Sequence, residues 1–329
     1  MVDLARFFWP WRNRKSDTTT AYFTDAACLE HDMGDGHPEC PERLVAIENM
    51  LKAHPELNAR LVRRQAPAID ARWLRLAHEA GYIANVQDFM QQVAASGKTR
   101  AIEPDTWVCP GSWDAAVHAA GAAVAATDAV LDGEATNAFC AIRPPGHHAT
   151  RREAMGFCFF NNVAIAARYA LDVRGLKRVA VIDFDVHHGN GTEDILAGDE
   201  RVIMVGLFQH PLYPFSGTPP AASNMHNLAL PASTRGQEVR AQIDTHWLPT
   251  LHAFKPEMIF ISAGFDAHRE DGLADLGFNE ADYEWITQRI VDVARQHCKG
   301  RIVSCLEGGY NLGSLARSVE AHLHVLART

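Results

Sequence analysis

Residues 181–194 read VIDFDVHHGNGTED, an apolar run that ends in two acids, two histidines and a pair of glycines around an asparagine. Asp183 and Asp185 differ by two and so point to one face of a strand, and His187 continues that spacing where the chain leaves the sheet. A buried carboxylate normally neutralises or finds a cation, and two of them beside an imidazole ask for a metal ion. Three comparable clusters end other apolar runs: RPPGHH at 143–148, GFDAH at 264–268 and EGGYN at 307–311. With Asp266 from a neighbouring strand, Asp185 and His187 make a three-ligand site with one position open to water, the arrangement of a catalytic rather than a structural metal. Zinc suits N/O ligands in tetrahedral geometry, and Fe²⁺ fits nearly as well.

Each fragment alone is ordinary. DxDxH also occurs at helix caps and turns, HH pairs are common on surfaces and in cores, and GGY is usually a tight turn. What gives them weight is their conjunction at the ends of apolar runs.

The elements that must hold them follow from those runs. NAFCAIRPPG, RVAVIDFD, RVIMVGLF, PEMIFISAGFD and RIVSCLEGG read as strands buried on both faces, separated by the helical segments NNVAIAARYALD, EVRAQIDTHWLPTLHAF and DYEWITQRIVDVARQH. That alternation predicts a mostly parallel sheet covered by helices, whose site lies beyond the carboxyl ends of the strands. Four clusters then converge on one rim.

The first third reads as more helical, with PERLVAIENMLKAH and DARWLRLAHEAGYIANVQDFMQQVAAS, and AAVHAAGAAVAATDAVL at 115–131 as a tightly packed core helix rather than a membrane span. EHDMGDGHPECPERL (30–44) and FQHPLYPFSGTPPAASNMHN (208–227) read as long loops of the kind that carry function. Without a linker, repeat or composition break, residues 20–329 are expected to form one domain behind an arm at 1–19 that contains FFWPW.

The 329 residues are 47% apolar and 22% charged, with a formal net charge of −9, values of a soluble globular enzyme and not of a nucleic-acid binder, which needs clustered Lys and Arg. Seven scattered cysteines without a Cys-x-x-Cys pair point to a reducing, cytoplasmic compartment.

RPPGHHA (143–149), GFCFFNNVAIAA (156–167), DFDVHHGNGTED (183–194), SAGFDAH (262–268) and LEGGYN (306–311) resemble the zinc-dependent histone deacetylase family. HPECPERL (37–44) is similar to its class II branch and bacterial relatives. The resemblance implies an α/β, arginase/deacetylase-like fold with about eight mostly parallel strands and helices on both faces. It implies an enzyme that removes acetyl or other short acyl groups from lysine side chains or lysine-like amines by attack of metal-activated water.

By the same resemblance Asp185, His187 and Asp266 hold Zn²⁺, His148 is general base and later acid, and His147 is its electrostatic partner. Tyr310 donates to the carbonyl oxygen, Asp183 orients His147, and Asn190 partners His148 where class I members carry Asp. Gly156, Phe157 and Gly308, with Tyr213 or Phe215 opposite, would line the acyl-lysine tunnel, although Pro214 interrupts the family's usual aromatic pair. Leu273 stands where polyamine-selective relatives place Glu. Arg43 matches an Arg near the internal acetate channel, with a surface salt bridge as the ordinary alternative. Backbone oxygens of Asp183, Asp185, His187 and Leu207 resemble a structural K⁺ site, with Gly206 in place of the usual Ser. His268 reads equally as a support for the site or a turn residue, and His31, His37, His210 and His226 as polar loop residues.

Three other functions are consistent with parts of the pattern. An acetylpolyamine amidohydrolase would share the chemistry. A guanidine hydrolase of the arginase-like fold needs two metals and more Asp and His ligands than are visible. A catalytically silent acyl-lysine-binding module would lack Tyr310 or the tandem histidines. No membrane partner is expected, and a homo-oligomer would give the FFWPW arm a neighbouring subunit to pack on.

Overall fold

In a computed structural model the protein is described over residues 19–328, so all but the last residue of the arm expected at 1–19 lies outside the described residues. The five apolar runs read as strands are strands: β5 (Asn137–Cys140), β6 (Val179–Asp183), β7 (Val202–Gln209), β9 (Met258–Ala263) and β10 (Ile302–Leu306), every residue of each buried. Continuous rather than alternating burial follows from helices on both faces.

Five further strands were not expected. β1 (Thr20–Thr24) and β2 (Leu61–Gln65) come from the third read as helical, β3 (Arg100–Glu103) pairs antiparallel with β4 (Thr106–Val108), and β8 (Met225–Leu230) begins inside the segment read as a loop. The physical reason is position. β2 and β8 are the two edges of the main sheet, short and half-solvated, so Arg63, Arg64, His226 and Asn227 replace the apolar run that marks a buried strand.

The main sheet has eight strands in the order β2-β1-β5-β10-β9-β6-β7-β8, all parallel. After β5 the chain passes over to β6 and leaves a gap that β10 and β9 later fill. The strand order therefore reverses at the centre, where a doubly wound sheet opens a crevice at its carboxyl edge. The four clusters named above leave β5, β10, β9 and β6, which are consecutive neighbours in the sheet.

Helices Glu42–Ala53, Glu280–Cys298 and Leu312–Leu326 pack together as one layer, and Ser112–Leu131 with Asn162–Asp172 as another. Ser112–Leu131 is the Ala-rich segment; among the described residues no helix is long and apolar enough to cross a membrane. The segment DARWLRLAHEAGYIANVQDFMQQVAAS is two helices, Ala71–Leu74 and Ala80–Ser96. EVRAQIDTHWLPTLHAF runs through a π turn at Ile243–Trp247, just ahead of Pro249, which has no N–H to give to the preceding turn.

Candidate active site

The strand ends bring Asp185, His187 and Asp266 together, with one ligand atom from each within 4.8 Å of the others. Backbone donors fix the carboxylates. Gly308 N–H donates to Asp185 Oδ2 (2.8 Å), His187 N–H to Asp185 Oδ1 (2.8 Å) and Val186 N–H to Asp266 Oδ1 (3.0 Å). That leaves Asp266 Oδ2 buried without a hydrogen-bond partner, 3.1 Å from His187 Nδ1, which also lies 3.0 Å from Asp185 Oδ1. An orphaned carboxylate oxygen facing an imidazole and a second carboxylate fits a divalent cation with N/O ligands. Without one the charges crowd. Burial and then the Asp185 charge push Asp266 up to about 6; burial also opposes charge on His187, but the Asp185 and Asp266 carboxylates beside it prevail and hold it at about 10.

The tandem histidines lie 4.1 Å apart between centroids, their rings tilted by 43°, but differ in electrostatic character. His147 Nδ1 donates to Asp183 Oδ2 (3.0 Å), and Nε2 stands 3.7 Å from Asp185 Oδ1. Burial opposes its charge, yet the carboxylates of Asp185 and Asp183 prevail and hold it well above the usual histidine range. His148 is the reverse: burial, then the neighbouring His147 and His187, depress it well below that range. Asn190 uses its Nδ2 on the His148 carbonyl and Met155 Sδ, so its Oδ1 accepts from His148 Nδ1–H (2.7 Å), leaving Nε2 with its lone pair.

Tyr310 follows two glycines, and its backbone N–H donates to Asp271 Oδ2 (2.6 Å), which also takes the N–H of Asn311 (3.0 Å). The Arg43 guanidinium carbon lies 4.9 Å from its ring centroid and Phe157 meets it edge-on at 5.8 Å. Burial, then the Asp266 charge, keeps the phenol protonated far above its usual value. Gly156 packs so closely on His148 that a Cβ would lie 2.3 Å from its ring, at φ +54°. Tyr213, not Phe215, faces the centre: its ring lies 5.2 Å from His148, whereas Phe215 is 72% exposed. Leu273 is exposed on the loop after Asp266, its N–H on Asp271 Oδ1 (3.2 Å). His268 behaves as a turn residue, Nδ1 accepting the Glu270 N–H (3.1 Å).

Arg43 is not in a surface salt bridge; it is fully buried, with Nε on the Gly309 carbonyl (2.7 Å), a second nitrogen on the Glu307 carbonyl, and a third 3.2 Å from Glu39 Oε1. Glu39 in turn takes Arg143 in a two-pronged pair (2.5 and 2.6 Å). Burial would raise Glu39, but Arg143, with His31 and Arg43, holds it down at about 2. Removing one member leaves a charge stranded: Arg143→Ala should cost about 3–5 kcal/mol in urea unfolding at pH 7.

Sequence reasoning passed over Glu39 and also Glu307. Glu307 Oε2 accepts the N–H of Gly146 (2.7 Å) and His147 (3.1 Å), and Oε1 the Ser262 hydroxyl (3.1 Å), so it holds the strand turn that presents the tandem histidines. Burial pushes it up to about 7. An acid closing the apolar run of β10 was the same signal that marked Asp183. Asp105 was missed too; it accepts the Gly156 N–H (3.2 Å) and lines a cavity together with Tyr213.

A family model for the histone deacetylase domain matches residues 37–326. Type-2 histone deacetylase 2 of Dictyostelium discoideum is 36% identical over 346 residues, 91% of this chain but only 20% of that longer protein. The histone deacetylase-like amidohydrolase of Pseudomonas aeruginosa is 36% identical over 317 residues, covering 89% of this chain and 82% of its own length. A solved structure described as the HDA15 HD domain aligns with a TM-score of 0.87 at 32% identity, over 95% of this chain and 89% of that one. A triad that could hold a metal ion, at the carboxyl edge of an eight-stranded parallel sheet, is thus met in a chain that belongs to the histone deacetylase family and is a deacetylase, a hydrolase of acyl amides.

Proposed function

We propose that residues 20–329 act as one catalytic domain that hydrolyses the acetyl amide of a lysine side chain, with Asp185, His187 and Asp266 as ligands for zinc. The observation that carries the reading is the triad with its orphaned carboxylate oxygen, beside which His147 is held by Asp183 and His148 by Asn190. Bound there, zinc supplies a Lewis acid for the carbonyl and a water acidic enough to attack near neutral pH.

The chain's own residues do the rest. His148 Nε2, unprotonated because burial and two neighbouring imidazoles disfavour its charge, takes the proton of the attacking water and returns it to the leaving amine. His147, charged and fixed by Asp183, offsets negative charge developing on the oxygens around the attacked carbon. Tyr310, kept protonated, donates its hydroxyl to the former carbonyl oxygen. Phe157 and Tyr213 flank the alkyl chain, and Arg43 behind Tyr310 offers a cation to the departing acetate. The same reading includes a structural potassium ion on the carbonyl oxygens of Asp183, Asp185, His187 and Leu207. Asn227 Oδ1, buried without a hydrogen-bond partner and 3.9 Å from where a side chain on Gly206 would begin, supports an oxygen-ligated cation beside them.

Asn190 gives a pH prediction. In Asn190→Asp a carboxylate faces His148 and raises its pKa, and a base is active only when unprotonated, so the acidic limb of log kcat/KM against pH moves to higher pH. A limb that stays in place removes His148 as the base.

Leu273, an apolar side chain where a carboxylate would grip a second amine, favours acyl-lysine over acetylpolyamine. The test is kcat/KM of the zinc-loaded protein on an acetyl-lysine peptide and on acetylputrescine. Preference for the peptide is expected; the reverse order assigns the protein to small acetylated amines.

A further inference from the structure

The segment 210–224 between β7 and β8 carries Tyr213 and has no regular structure of its own. It is tied back to the turn after β6 by polar contacts that the reaction does not use. His188, the buried residue next to His187, has Nδ1 2.8 Å from Ser216 Oγ and Nε2 2.8 Å from Glu193 Oε2, and Glu193 is buried as well. A carboxylate only accepts, so Nε2 carries a proton towards Glu193, and Nδ1 pairs with the Ser216 hydroxyl. The other Glu193 oxygen takes the Ala221 N–H (2.6 Å). Asn227 Nδ2 bridges Glu193 Oε2 (2.7 Å) and the Gly217 carbonyl (3.0 Å). Gly217 stands at φ +89°, so close that a Cβ would lie 2.7 Å from both the His188 ring and Phe208.

The segment is therefore gripped at 216 and 221 by His188 and Glu193, which follow His187 in the chain, and at 217 by Asn227 of β8. Three residues before Ser216, the Tyr213 ring stands 5.2 Å from His148 and 6.3 Å from His187, and Tyr213 lines a cavity together with Asp105. An irregular segment of this length is held only by contacts that outweigh its backbone entropy. Phe215, between the two anchored residues, points to solvent and contributes no such contact.

We propose that Ser216, His188 and Glu193 form a latch of positioning residues that sets the tunnel wall at Tyr213, and so sets how tightly the acyl chain is held. The inference rests on the deacetylase reading above and deepens it. Ser216 is the place to test it, because it touches neither the metal ligands nor the tandem histidines. In Ser216→Ala, KM for an acetyl-lysine peptide should rise about tenfold, the worth of one buried hydrogen bond, while kcat changes by less than about twofold. Bound metal should match the wild type, and amide hydrogen exchange across 213–221 should speed up. Ser216→Thr, which restores the hydroxyl, should bring KM and exchange back.

The latch is overturned if exchange across 213–221 is unchanged in Ser216→Ala. It is equally overturned if exchange rises but KM does not, or if kcat and bound metal fall together with KM unmoved. Exchange and metal content need no turnover. A wild type inactive on every acetylated amine would remove the assigned reaction, and the exchange arm would still decide whether the latch holds the loop.

Discussion

Tyr310→Phe should lower kcat by about 10²–10³-fold, the cost of removing one oxyanion donor, with bound metal, KM and thermal stability close to wild type. The change deletes a single oxygen. The backbone that carries the residue is held by Asp271 through two N–H groups, and the ring by Arg43 and Phe157, none of which involves the hydroxyl. The donor role depends on the proton staying on the phenol, which burial and the Asp266 charge ensure. Stopped-flow or steady-state rates on an acetyl-lysine peptide read the effect directly. A loss of less than about tenfold would mean that charge on the carbonyl oxygen is carried elsewhere.

Gly308→Ala should lose the metal and with it nearly all activity. A Cβ at 308 would stand 2.1 Å from Asp266 Oδ2 and 2.6 Å from Asp185 Oδ2, inside the space the triad needs, while the Gly308 N–H holds Asp185 Oδ2 in place. Either the carboxylates move apart or the β10 turn moves away, and both undo a geometry that tolerates only a few tenths of an ångström. Elemental analysis after dialysis should find bound zinc far below one per chain in the variant. Far-ultraviolet circular dichroism should remain that of the wild type, because the strand itself ends at Leu306.

Much of this was legible because β6 and β9 are apolar runs that end abruptly in acids and a histidine, so burial and charge conflict in a way only a cation resolves. The strands without that contrast were not legible. β2 presents Arg63 and Arg64 at a half-solvated edge, and β8 carries His226 and Asn227 directly after its first residue, so neither shows an apolar period. The pairing of Glu39 with Arg143 spans 104 residues and leaves no local pattern. Tyr213 was placed only as one of two candidates because no spacing rule tells which of two aromatics around Pro214 turns inward. Asp105, which lines a cavity together with Tyr213, stands in a hairpin the sequence did not reveal. Glu307 was in plain view within LEGGYN and was hidden by its neighbours, the glycines and Tyr310, which suggested a chemistry of their own.

The central claim is that one divalent ion on Asp185, His187 and Asp266 is what makes this site an amide hydrolase. Its most direct test is acetate release from an acetyl-lysine peptide by metal-stripped protein titrated with zinc. No release is expected from the stripped protein, then a linear rise that breaks at one zinc per chain. Release at the full rate before any metal is added would contradict it.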